Sequence, residues 1–122
     1  MSRKSFIEAN GATCRNWTWS WSFVNDAERF VVFGAWDRYA EEDRVMILDR
    51  AWERSGKGKR NPGYIQSLEH VRLIEEEGYE LRIFPMLFSH DGDDSSPARI
   101  KGFEPVLSTK RLLKDGCAWF AV

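Results

Sequence analysis

The sequence predicts an α+β domain: a curved, mainly antiparallel sheet, or a small β-barrel, with one main helix and one short helix. Three observations lead there. Asn16-Trp-Thr-Trp-Ser-Trp-Ser-Phe23 alternates strictly between rings and small polar side chains, which is the period of a strand. Arg29 to Trp36, after the turn cluster Asn25–Glu28, is rich in aromatic and β-branched residues and suits a second strand. Ile65, Leu68, Val71 and Ile74 recur at helical spacing with Leu73 beside them, and Gly78 follows, where a helix from Tyr64 to Glu77 would stop.

The elements follow in order. A four-residue loop in the first hairpin pairs Val24 with Arg29 and sets Trp17 opposite Trp36. Gly34 then faces Trp19, and its missing side chain leaves space over the strand. Residues 37–44 are polar loop. Val45–Leu48 reads as a third strand, or as the start of a helix reaching Trp52, because a short apolar run fits both. Ser55 to Gly63 is a loop rich in glycine and charge. After the main helix, Glu80–Phe88 returns to strand character, and Pro85 marks an edge or a bulge. Ser89–Pro97 is a polar, acidic loop. Ile100–Leu107 is a further strand, and Ser108 is placed to cap a short helix, Thr109–Lys114, ended by Gly116. Cys117–Val122 forms the last strand. The order is β-β-β-α-β-β-α-β.

The 122 residues suit one domain, 1–122, with 43% hydrophobic and 30% charged residues, a globular balance. The net charge of −1 excludes nucleic-acid binding by bulk charge but leaves room for a local basic patch. No membrane span and no secretory signal is read, so the expected location is cytoplasmic. Cys14 and Cys117 read as free, mostly buried thiols. No CxxC pair, Cys/His cluster, P-loop, GxGxxG, GxSxG or HExxH motif is present. No metal site, cofactor or catalytic residue is therefore expected.

Six tryptophans are many for a chain this short. Trp17, Trp19, Trp21 and Trp36 fall on one face of the expected hairpin. They serve either as core or as an aromatic pocket; a flat ring suits a nucleobase or a methylated cation. Asn16 and Asp37 stand beside them as candidate readers of a base edge. Arg50, Arg54, Lys57, Lys59 and Arg60 face only Glu53 within their stretch. This is either a solvated charged loop or a set of phosphate contacts. Tyr64, Gln66 and His70 at the start of the helix could extend that set, or form part of an exposed polar helix face. His90-Asp-Gly-Asp-Asp-Ser-Ser96 lacks the twelfth-position glutamate of a calcium loop and reads as a flexible acidic loop.

Several stretches, taken together, carry a resemblance. They are Asn16-Trp-Thr-Trp-Ser-Trp-Ser-Phe-Val-Asn25, Phe33-Gly-Ala-Trp-Asp37, Gly63-Tyr-Ile-Gln-Ser-Leu-Glu-His-Val-Arg-Leu73, Glu77-Gly-Tyr-Glu-Leu81 and Ile100-Lys-Gly-Phe-Glu-Pro105. They cover most of the chain and resemble a bacterial module found alone or ahead of HNH nuclease domains in McrA-like, modification-dependent restriction proteins. By analogy with SRA, EVE and PUA readers, the resemblance implies a curved β-rich fold that takes a flipped modified cytosine into an aromatic pocket. It implies DNA as partner, with an HNH nuclease domain or chain beside it and no cleavage by this chain. Trp17, Trp19, Trp21, Trp36, Asn16 and Asp37 would form the base pocket. Arg54, Lys57, Lys59, Arg60, Tyr64, Gln66 and His70 would hold phosphates. The alternatives are a protein-interaction domain using exposed aromatics and a small nucleic-acid-processing enzyme using Glu69, His70 or the acidic loop.

Overall fold

The computed structural model describes residues 2–54, 58–89 and 99–122, with side chains throughout except at 88, 89 and 99–101. Helix α1 (Arg3–Ala9) opens the chain. The Ser2 hydroxyl accepts from the Ser5 N–H at 3.0 Å, which satisfies one of the free donors of the first turn. Phe6 and Ile7 face inward, and Gly11 leaves the helix at φ 75°. Two apolar residues make no helical period, so pattern reading passes over this helix.

Strands β1 (Ser22–Asn25), β2 (Phe30–Trp36), β4 (Glu80–Ser89) and β5 (Arg99–Phe103) lie side by side in that order, and β6 (Ser108–Lys110) shares the outer edge of β4 with β5. The pairs are antiparallel except the central one: β2 and β4 run parallel, Phe30 beside Glu80 through Trp36 beside Met86. A parallel pair needs a long crossover, and this one contains β3 (Val45–Asp49) and helix α2 (Pro62–Glu77). Strand β3 pairs with β8 (Ala118–Ala121), which pairs with β7 (Leu112–Asp115), as a small antiparallel sheet. The architecture is α+β: a curled mixed sheet in the manner of half a barrel, a second small sheet and two helices.

Pro85 sits within β4 at no cost to the central pair. Its carbonyl accepts from Glu104 N–H at 3.0 Å, on the β5 side. A strand residue directs its N–H and C=O to the same side, so the missing N–H removes no bond to β2.

Three expectations are corrected. The first hairpin pairs Ser22 with Phe33 and Asn25 with Phe30, two residues out of the expected register, and pairing stops at Ser22. Residues 16–21 form turns instead: Ser20 N–H reaches the Asn16 carbonyl at 3.0 Å, and the Asn16 side chain accepts from Thr18 N–H at 2.8 Å, an Asx turn that competes with strand pairing. The expected helix over 109–114 is the end of β6 and most of β7. Lys, Arg and Leu favour helix, but pairing with β4 and β8 overrides that preference. Gly116 is the first residue of the tight β7–β8 turn, at φ 63°, a position suited to glycine. Of the two free thiols, Cys14 is half-buried, but Cys117 is exposed in that same turn.

Two apolar clusters cover the two faces of the large sheet. Val31, Phe33, Leu81 and Ile83 pack with Tyr64 and Val71 of α2 and with Leu48 and Trp119 of the small sheet. Phe23, Phe30, Val32 and Phe84 pack with Phe6 and Ile7 of α1. Burial of such rings and branched side chains contributes about 1.5–3 kcal/mol each and fixes both helices against the sheet.

Candidate functional site: an aromatic cavity with arginines on its wall

A cavity of about 360 Å³ opens where β1 begins and β2 ends. Trp21 and Phe23 line it from β1 and the turn before it, and Gly34 and Trp36 from the end of β2. Tyr39 enters from the 3-10 turn after β2, and Trp52 from the 3-10 turn after β3. The Trp21 and Trp52 rings meet edge to face at 6.0 Å and 87°, and Tyr39 leans on Trp52 at 5.6 Å. Edge-to-face contact holds one ring against the next while leaving a flat surface open. All four of Trp21, Trp36, Tyr39 and Trp52 are only half-buried.

The floor is apolar. Ile47 of β3 and Phe84 and Met86 of β4 line it. Gly34 is there for space: a Cβ on it would lie 2.5 Å from the end of the Met86 side chain, so Met86 lies across the strand where any other residue would project. Gly63 plays a similar part at the start of α2. A Cβ there would lie 2.7 Å from the Trp19 carbonyl and 2.7 Å from the Trp21 ring. That close approach seats Trp21 against the helix.

Arg3, Arg38 and Arg54 stand on the wall together with Asn61, and among the described residues no acidic side chain lines the cavity. Arg38 lies over the Tyr39 ring at 5.2 Å. Arg54 donates to the Gly58 carbonyl at 3.1 Å. The Asn61 oxygen accepts from Gly63 N–H as the N-cap of α2, so its amide NH2 is the donor left to face a ligand.

The structure divides the residues expected to act. Trp21 and Trp36 line the cavity. Trp17 does not: it stacks on Phe23 at 5.5 Å with Lys4 over it, on the α1 side. Trp19 and Asn16 lie in the turns before β1, and Asp37 is exposed at the head of the 3-10 turn; none of the three lines the cavity. Arg54, Lys59 and Arg60 are exposed on the segment leading into α2, with Arg54 bridged to Arg60 through the backbone. Lys57 and the acidic stretch 90–98 lie outside the described residues. Arg3, Arg38, Tyr39 and Trp52 were missed, because nothing local in the sequence joins positions so far apart.

Tyr64, Gln66 and His70 are buried, which corrects both the phosphate role and the exposed helix face expected for them. Tyr64 belongs to the core. Gln66 donates to Ser20 Oγ at 2.5 Å and accepts from Arg15 N–H at 3.0 Å. Ser22 Oγ, itself fully buried, sits 2.6 Å from His70 Nδ1 and 2.9 Å from Ser67 Oγ. These are polar side chains of the 15–22 segment closing on polar side chains of α2, each satisfied by the other. Burial, with Arg15 nearby, lowers the His70 pKa to about 4. A hydroxyl beside an imidazole suggests nucleophilic chemistry, but Ser22 is sealed from solvent and His70 is 6% exposed; the pair is a structural clasp.

Among the described residues no group of three or more His, Cys, Asp or Glu side chains is placed to hold a metal ion, and no helix is long and apolar enough to cross a membrane. No protein-family model, curated protein or solved structure matches this chain.

Proposed function

We propose that the chain is a DNA-binding module that takes a flipped, modified base into the aromatic cavity and does not cut. The observation that supports this most is the pairing of half-buried rings, Trp21, Trp36, Tyr39 and Trp52, with charged side chains that among the described residues are all cationic, on one concave surface. Its volume of about 360 Å³ lies near the small end of ligand clefts, roughly 300–1,000 Å³. A concave wall of rings favours a small planar group over a flat protein surface.

In this reading Arg54, Lys59 and Arg60 hold backbone phosphates beside the mouth of the cavity. The base leaves the stack at a cost of a few kcal/mol and stacks on Trp52 or Trp21, which returns about 1–3 kcal/mol per base. A methyl or hydroxymethyl group meets the apolar floor of Ile47 and Met86. The amide of Asn61 reads the base edge, the role expected of Asn16. Cleavage, in a modification-dependent restriction system, falls to an HNH nuclease domain or partner chain.

Titrating short duplexes carrying cytosine, 5-methylcytosine or 5-hydroxymethylcytosine while following tryptophan fluorescence tests this. The expected result is quenching that depends on the modification. Trp52→Leu weakens that response about tenfold or more, while Trp17→Phe, outside the cavity, leaves it unchanged. No response to any duplex from the folded protein, or equal loss in both variants, removes the assignment.

A further inference from the structure

We propose that the unit this cavity accepts is a whole nucleotide, with the Arg3 guanidinium contacting its phosphate, so that a free nucleoside monophosphate is a ligand in its own right. The proposal rests on the nucleobase reading above and names the ligand class of the same site. Charge on the wall carries it. Among the described residues three arginines line the cavity and no aspartate or glutamate does, in a chain whose net charge is −1. Arg38 and Arg54 make contacts within their own segments, to Tyr39 and to Gly58.

Arg3 differs. Its one hydrogen bond among the described residues is from Nη1 to the Met86 sulfur at 3.9 Å, and a thioether is a weak acceptor. No carboxylate among the described residues pairs with it. The side chain is half-buried, and withdrawal from water lowers its pKa. A cation drawn out of water without a counter-charge is unfavourable until an anion arrives. The anchoring of Phe6 and Ile7 in the core fixes the backbone of α1, so the Arg3 side chain is carried on a rigid element beside the cavity. A guanidinium presents paired N–H groups that match phosphate oxygens, and the rings beside it present the faces that match a base. Neither half of the site is satisfied by an uncharged ring alone.

The test compares deoxycytidine with deoxycytidine 5′-monophosphate, and their 5-methyl counterparts, by calorimetric or fluorescence titration of the full chain. The monophosphate is expected to bind about tenfold tighter than the nucleoside. Arg3→Gln lowers monophosphate binding to the nucleoside level, leaves nucleoside binding in place and does not lower the melting temperature, since it removes an uncompensated half-buried cation; Arg3→Lys restores part of the difference. Equal affinity of the wild-type chain for nucleoside and monophosphate, or a variant that weakens both alike, overturns the proposal. If duplexes still quench in a modification-dependent way, only this proposal falls. If duplex, nucleotide and nucleoside are all silent, the nucleobase reading falls with it.

Discussion

At the scale of single residues, His70 has a consequence for stability. Its pKa is about 4 in the folded chain against 6.5 for the free group, chiefly through burial. The unfolded chain therefore takes up a proton first as pH falls. Stability from this site is fully present above about pH 6.5 and is lost progressively down to about pH 4, a change of about 3 kcal/mol. Urea unfolding followed across that range is expected to show the slope, and His70→Gln to flatten it; an unchanged slope in the variant would place the titration elsewhere. The same residue shows why parts of the site were hard to read. Gln66 and His70 fall on one side of a helix, and polar residues on a helix are usually solvated. Here they are buried because Ser20 and Ser22 supply partners, a relation no hydrophobic period reveals.

At the scale of elements, the tryptophan-rich segment and the start of α2 determine each other. Alternation in residues 16–23 reads as strand, yet only Ser22 onward is paired. The serines turn inward to α2, and Trp21 lands against Gly63. Gly63→Ala sets a Cβ 2.7 Å from a backbone carbonyl, which has no flexible end to move aside. The variant is expected to lose about 1–3 kcal/mol of stability in thermal or urea unfolding, and to bind any cavity ligand less well because Trp21 shifts. Normal stability with normal binding would mean that the helix start adjusts freely. Helix α2 and strands β2, β3, β4 and β8 were legible from periodicity and turn signals. Helix α1 was not, having two buried apolar residues, and β6 and β7 were not, having helix-favouring composition.

At the scale of the whole molecule, the balance of 18 basic and 19 acidic residues means that DNA affinity must come from a small cationic surface. If Arg54, Lys59 and Arg60 are the phosphate contacts, log affinity for a duplex is expected to fall with log salt concentration at a slope of about −3. Replacing Lys59 and Arg60, which do not line the cavity, by glutamine is expected to reduce the slope by about two while leaving the difference between modified and unmodified bases, which belongs to the cavity. A slope near zero in the wild-type chain would instead favour a protein partner. The cavity exists only at this scale. It draws Arg3 from the first helix, Trp36 from the end of β2, Trp52 from the turn after β3 and Met86 from β4, and the parallel pairing of β2 with β4 brings them together.

The sequence by itself determined what is local: the α+β class, the main helix with its glycine stop, and a concentration of rings near a basic loop. Each is written in spacings of two to four residues, the range over which backbone geometry acts. The tertiary structure decided which rings are core and which are wall. Trp119 is buried, Trp17 lies against α1, and Trp21, Trp36 and Trp52 face the cavity. All six carry the same side chain, so its fate depends on what the rest of the chain folds against it. Long-range strand pairing and the polar contact of α2 with Ser20 and Ser22, at the entry to β1, settle that, and neither has a local period.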